Sequence, residues 1–170
     1  MQEFVIENSL KGVKATQKMK TENQKDRVFQ LCDVVRETGF AIHQYHGPGH
    51  LEKVYENALV HRLRKLGLKV EQQKPLTVYD QDGTVVGEYF ADLLVEDQLI
   101  VELKAAKATT DEHVAQLLGY LRAARIEHGL LVNFGAARFA IKKYVMSDPA
   151  LPRASLLSLL FASLCALCGH

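Results

Sequence analysis

Two strand-like runs lie back to back in this chain, Glu88-Tyr-Phe-Ala-Asp-Leu-Leu-Val95 and Gln98-Leu-Ile-Val-Glu-Leu-Lys-Ala105, and each carries charge where a buried strand should carry none. Asp92 sits inside the first apolar run, and Glu102 and Lys104 flank Leu103 in the second. Strand side chains alternate between faces, so Glu102 and Lys104 point the same way and Leu103 points into the core. The turn between the runs then decides where the acids go. A two-residue turn at Glu96-Asp97 pairs Asp92 with Val101 and Glu102 with Ala91, sending the carboxylates to opposite faces. A three-residue loop (Glu96, Asp97, Gln98) or a bulge brings them together. One of those two is expected here.

Convergence would carry a chemical consequence. Two carboxylates about 4 Å apart repel by roughly 4 kcal/mol at an effective dielectric of about 20. Either one of them takes up a proton or a cation binds. Oxygen ligands with a partly open shell favour Mg²⁺ or Mn²⁺ over Zn²⁺. A dication beside the Lys104 ammonium suits hydrolysis of a phosphodiester, because both stabilise charge gathering on phosphoryl oxygens. The competing reading is plain: most strand acids face solvent, and a Glu-x-Lys pair is common by chance.

The rest of the chain supplies a frame for these strands. Apolar positions Val28, Leu31, Cys32, Val35 and Ile42 fall largely at helical spacing between Asp26 and His46. Gly47-Pro48-Gly49 breaks the chain, and Leu51, Val54, Tyr55, Ala58, Leu59, Leu63 and Leu66 stripe a second helix that Gly67 ends. From Leu68 to Tyr79 the pattern is extended, with Pro75 marking an edge or a bulge. Asp80-Gln-Asp-Gly83 is a turn signal ahead of the two charged strands. Thr109-Thr110-Asp111 offers capping residues for a helix from Glu112 to about Arg125. Gly129-Leu-Leu-Val-Asn-Phe134 reads as a short buried strand, Gly135 as a turn, and Arg138 to Val145 as a last strand. The order is two helices, three strands, a helix and two strands, an α/β fold with a mixed central sheet flanked by helices.

Two helical faces add polar groups at useful spacings. Val114, Leu117, Leu118 and Leu121 form the buried stripe of the third helix, which leaves Gln116 and Tyr120, four apart, on a neighbouring face with His113. Glu52 and Tyr55 lie three apart just after the glycine break, where the helix dipole favours an acid in any case.

Gly49-His-Leu-Glu52-Lys-Val-Tyr55 matches the pattern Gly-x-x-Glu-x-x-Tyr, and this chain resembles the GxxExxY proteins of the PD-(D/E)xK, or restriction-endonuclease-like, nuclease superfamily. The resemblance runs from about Asp26 to Val145. It takes in His43, Asp92, Glu102-Leu-Lys104, Gln116-Leu-Leu-Gly-Tyr120 and Leu130-Leu-Val-Asn-Phe-Gly135. It implies a restriction-endonuclease-like sheet, with Asp92 and Glu102 as ligands of Mg²⁺ or Mn²⁺, joined by the Leu103 carbonyl. Lys104 is then the catalytic lysine, Glu52 a supplementary acid and Gln116 the polar residue of the flanking helix. Tyr120 and Tyr55 become substrate contacts. The implied activity is Mg-dependent hydrolysis of nucleic-acid phosphodiester bonds, DNA or RNA, through a metal-activated water. The alternative is an inactive nuclease-fold module that binds nucleic acid or a protein partner, and a homodimer remains open.

Composition bounds these expectations. The 170 residues suffice for one domain with a real core. A net charge of +1 leaves nucleic-acid binding to a local surface rather than a global field. Residues 1–25 read as a weakly ordered, Lys-rich N-terminal extension, 26–146 as the nuclease-like domain, and 147–170 as an apolar C-terminal tail. Met1 to Lys25 lacks the apolar run of a signal peptide. The apolar stretch Ala154 to Leu167 is shorter than the roughly 20 residues that span a bilayer, so no membrane span is expected. Cys32, Cys165 and Cys168 are too few and too scattered for a disulfide framework. The expected compartment is therefore cytoplasmic. A zinc site at His43, His46 and His50 is disfavoured by the Gly-Pro-Gly break, and Cys165-x-x-Cys168 has no second pair.

Overall fold

The structure is a computed structural model that describes residues 26–146; the expectations for the two terminal segments, with Cys165 and Cys168, lie outside the described residues. Helix α1 (26–46) buries Val28, Leu31, Cys32, Val35 and Ile42, the stripe that its sequence spacing marks. It stops at Gly47, whose φ of 66° is the left-handed conformation that closes helices and whose N–H donates to the His43 carbonyl at 2.9 Å. Helix α2 (Glu52–Lys65) follows the Gly-Pro-Gly break. At its far end Leu68 N–H reaches the Leu63 carbonyl and Gly67 N–H the Arg64 carbonyl, a Schellman closure with Gly67 at φ 84°.

Among the described residues five strands form one sheet, in the order β1-β2-β3-β4-β5. They are β1 (Val70–Tyr79), β2 (Val85–Val95), β3 (Leu99–Lys104), β4 (His128–Asn133) and β5 (Ala140–Val145). Helix α3 (Asp111–Ala124) connects β3 to β4, the single parallel pair; the other three pairs are antiparallel. Pro75, which has no N–H to donate, falls on the edge strand β1. The result is the mixed α/β sheet that the pattern of helices and strands implies, consistent with a restriction-endonuclease-like domain. Among the described residues no helix is long and apolar enough to cross a membrane.

Two cores cover the two faces of the sheet. One joins α1 and α2 to Leu93, Val95, Leu99, Val101, Leu103, Leu130 and Val132. The other joins α3 to Leu76, Ala91, Leu94, Ile100 and Leu131. Alternation assigns Leu103 to the first core, as expected, and turns Glu102 towards the second. One break in the alternation stands out. Leu93 packs in the first core and Ala91 in the second, although they are two residues apart. Val70 and Leu76 on β1 likewise belong to different cores. Both strands therefore change face between these positions, around Gln73 and Asp92. Gln73 has a φ of 48°, and the pairing of β1 with β2 steps from Gln72↔Leu93 to Lys74↔Ala91 without a Gln73–Asp92 pair.

The end of β3 is clamped from the other side. Asn133 Oδ1 accepts from Ala106 N at 3.1 Å and from Gly135 N at 3.0 Å, which fixes the loop after Lys104 against the end of β4. Gly135 lies so close to that loop that an added Cβ would be 2.3 Å from the Ala105 carbonyl carbon and 2.4 Å from the Ala106 nitrogen. Backbone cannot retreat as a flexible side chain can. Gly135→Ala is expected to lose about 3 kcal/mol of stability or more, read as a lowered urea midpoint; a loss under about 1 kcal/mol would show the contact to be soft.

Candidate functional site

The turn between β2 and β3 settles where the acids go. Leu93 pairs with Val101, Leu94 with Ile100 and Val95 with Leu99, so Glu96, Asp97 and Gln98 form a three-residue turn. Glu96 and Asp97 take left-handed φ values of 52° and 56°, and Gln98 N–H returns to the Val95 carbonyl at 3.0 Å. This register sets Asp92 opposite Glu102, the convergent arrangement. The backbone ladder stops one pair short of them. In its place Asp92 Oδ2 accepts the Leu103 N–H at 2.8 Å, and Gln73 Nε2 donates to Asp92 Oδ1 at 3.3 Å.

Glu102 is only 2% exposed. Its Oε1 accepts from Lys104 Nζ at 2.6 Å, while its Oε2 is buried without a hydrogen-bond partner. An ammonium so close would ordinarily hold a carboxyl acidic. Here burial and the neighbouring Asp92 outweigh Lys104 and push Glu102 up to about 7. Burial also raises Asp92, against the Leu103 N–H and Lys104, which favour its ionised form. For Lys104, burial pulls the other way but is overcome by Glu102, Glu52 and Asp92, so its pKa rises and it stays protonated.

Glu52, on the first turn of α2, faces the same cluster. Burial raises its pKa, Lys104 lowers it, and Asp92 raises it further; the Ala105 N–H favours its charge. On α3, Gln116 Nε2 donates to Tyr120 Oη at 2.6 Å, which leaves the phenol proton available to another acceptor. Burial and then Glu102 raise the Tyr120 pKa. Asp92, Glu102, Lys104, Glu52 and Tyr120 thus share one electrostatic neighbourhood at the end of β3.

Tyr55 does not join them. It is fully buried, stacked on Phe134 at 4.7 Å between ring centroids, and its hydroxyl donates to the Gly47 carbonyl at 2.7 Å while accepting His50 N–H at 3.2 Å. The expectation of a substrate contact is therefore corrected. Tyr55 ties the glycine break to the start of α2, and so positions Glu52 three residues earlier. Sequence reasoning also passed over Glu56 and Gln73. Glu56 is 3% exposed, accepts from Lys53 at 2.7 Å and Gln72 at 3.0 Å, and shares Gln73 Nε2 with Asp92. Its spacing of four from Glu52 was the available signal; nothing marked Gln73. His43 Nε2 engages the Ala136 carbonyl at 2.9 Å, while His46 faces His50 at 5.8 Å between ring centroids.

The PD-(D/E)XK nuclease superfamily model matches residues 29–144, well over half of the chain. The chain belongs to that superfamily. No curated protein matches it. Among solved structures it is similar to the crystal structure of SSO0001, with 19% identity and a TM-score of 0.49, covering 67% of this chain and 57% of that one. The chain thus spans little more than half the length of that protein. Members of the PD-(D/E)XK superfamily generally use divalent metals. The donor set here suits one: Asp92 and Glu102 offer only oxygen donors, and the unpartnered Glu102 Oε2 is the kind of buried acceptor that a cation satisfies. As the side chains stand, no three His, Cys, Asp or Glu among the described residues gather tightly enough to hold an ion. An octahedral cation bound here would complete its shell with backbone or water oxygen.

The raised pKa of Glu102 has a measurable consequence. A carboxyl moved from 4.5 to about 7 binds its proton more tightly in the folded protein than in the unfolded one. Its contribution to stability is complete below pH 4.5, falls as pH rises towards 7, and is gone above that, a change on the order of 3 kcal/mol. Urea midpoints between pH 5 and 8 in metal-free buffer should therefore fall less in Glu102→Gln than in the wild type. Equal losses in the two proteins would contradict this assignment.

Proposed function

We propose that this protein is a Mg²⁺-dependent nuclease of the GxxExxY type, hydrolysing phosphodiester bonds in DNA or RNA, with Asp92 and Glu102 as metal ligands. The register of the β2–β3 turn carries this reading: it sets two carboxylates opposite each other beside a partly buried lysine. The PD-(D/E)XK membership supports the reaction class. Mn²⁺ is the natural substitute, since both ions take hard oxygen ligands, and the Leu103 carbonyl is the backbone candidate for the same shell. Such a cation supplies Lewis acidity, which makes water more acidic and offsets charge on the phosphoryl oxygens.

The remaining work falls to this chain's own groups. Lys104, held protonated by three carboxylates, offers its ammonium to a non-bridging phosphoryl oxygen as negative charge builds there. Glu52 is the acid whose burial raises its proton affinity while leaving it beside the site, so its carboxylate takes the proton of the attacking water. Water oxygen bonds to phosphorus as the bond from phosphorus to the leaving sugar oxygen breaks. That oxygen leaves as a hydroxyl after gaining a proton from solvent. Gln116 orients the Tyr120 hydroxyl, whose proton is free to reach a phosphate oxygen.

Calorimetric titration with Mg²⁺ and Mn²⁺, followed by cleavage assays on single-stranded and duplex DNA and RNA, tests the proposal. Metal binding should disappear in Glu102→Ala and persist in Lys104→Ala, and both variants should lose at least about 100-fold in cleavage rate. Cleavage that survives both substitutions would come from a contaminant. Nucleic-acid binding by the wild type with no cleavage in either metal would favour the inactive binding module instead.

A further inference from the structure

The half of β2 that runs from Val85 to Phe90 projects beyond both cores and is exposed throughout. Tyr89 is the residue of this half that returns to the site. Its ring lies 5.4 Å from that of Tyr120, tilted by 47°, and its edge lies over Gly119, where an added Cβ would be 3.9 Å from Tyr89 Cε2. Tyr120 in turn carries the Gln116 hydrogen bond and feels the charges of Glu102 and Asp92. Tyr89 is nonetheless 43% exposed, against 7% for Tyr120. One ring is thus packed into the protein beside the candidate metal ligands, and the next presents open aromatic surface a single ring further out.

We infer that Tyr89 is a stacking platform for an unpaired base next to the phosphate cleaved at the Asp92–Glu102 site, and that the substrate is single-stranded or locally unpaired nucleic acid. This rests on the nuclease reading and adds the substrate class. A nucleobase suits the place for three reasons. Tyr120 and Gly119 fix the Tyr89 ring from one side, so little rotamer freedom is lost when a base covers the other. Stacking on an aromatic ring accepts any base, as a chain whose net charge is only +1 needs if it is to hold a polyanion by more than phosphate contacts. In a duplex each base is already stacked on its neighbours, so only an unpaired one gains a new partner at Tyr89. The register of β2 fixes the ring's place: Tyr89 pairs with Leu76 on β1, three residues before Asp92, where the pairing of β2 with β3 has given out.

The chain contains no tryptophan, so Tyr89→Trp places a single fluorescent reporter at the platform. In the full-length protein without added metal, the probes are a single-stranded 12-nucleotide DNA, the same sequence as a blunt duplex, and an abasic strand with the same phosphates. Quenching of the Tyr89→Trp emission by the single strand, and little by the abasic strand, is the expected signature. Tyr89→Ala should weaken single-strand binding roughly tenfold or more, Tyr89→Phe should restore it, and neither should alter calorimetric Mn²⁺ affinity. Equal affinity for the abasic and normal strands, or no quenching, overturns the inference while cleavage by the wild type keeps the nuclease reading intact. If the wild type neither binds nor cleaves nucleic acid, both fall. A dimer in sedimentation that Tyr89→Ala dissociates, with oligonucleotide affinity unchanged, would assign the exposed ring to a second copy of the chain and also overturn it.

Discussion

The hydrogen bond from the Leu103 N–H to the Asp92 carboxylate organises the rest of the site. Backbone pairing between β2 and β3 would otherwise continue past Leu93↔Val101, and the strands would close against each other. Asp92 satisfies the Leu103 donor with its side chain instead, so no buried N–H is orphaned where the ladder ends. The other strand edge does the same on its own terms: Gln73 turns left-handed and donates its amide to Asp92. β1 and β2 can then change face while β2 and β3 part, and the opening between β2 and β3 is where the carboxylates meet. Polar side chains replace backbone bonds at the one place where the sheet has to open.

Opening the sheet there leaves charge in a poor solvent. Glu52, Asp92 and Glu102 surround the partly buried Lys104 ammonium, with Glu56 beside Glu52 and Asp92 and Lys53 reaching Glu56 from outside. The folding cost of this cluster appears as the upward shifts of Glu52, Asp92 and Glu102. A fold selected only for stability would fill such a space with apolar side chains. The cluster survives because the surrounding structure over-determines it: Asn133 and Gly135 clamp the loop after Lys104, and Tyr55 pins the start of α2. Stability is spent at the site and recovered in the two cores.

Most of this was legible in the sequence for a specific reason. Helices α1 and α2 carry long apolar stripes bounded by glycines, and β3 and β4 are dense apolar runs, so period and punctuation named them. The meeting of Asp92 and Glu102 reduced to a choice of turn length, which the residues themselves do not decide. Glu96-Asp97 permits a two-residue turn, and only the left-handed pair followed by Gln98 selects three. Tyr55 was misplaced because a motif residue three positions from Glu52 shares a helix with it but not its environment; one side of α2 faces the core and the other the cluster. Gln73 left no trace, since its role depends on a φ of 48° that no local residue type demands. Tyr89 was hidden for a related reason: its neighbour Tyr120 arrives from a helix 31 positions later.

The most direct test of the account is a crystal structure grown with Mn²⁺ and read by anomalous scattering. An ion with carboxylate oxygens of both Asp92 and Glu102 at about 2.1 Å, with Lys104 turned from Glu102 towards the open side, is the result predicted. A peak held by other residues, or none at millimolar Mn²⁺ while the Lys104–Glu102 contact stays closed, would contradict it.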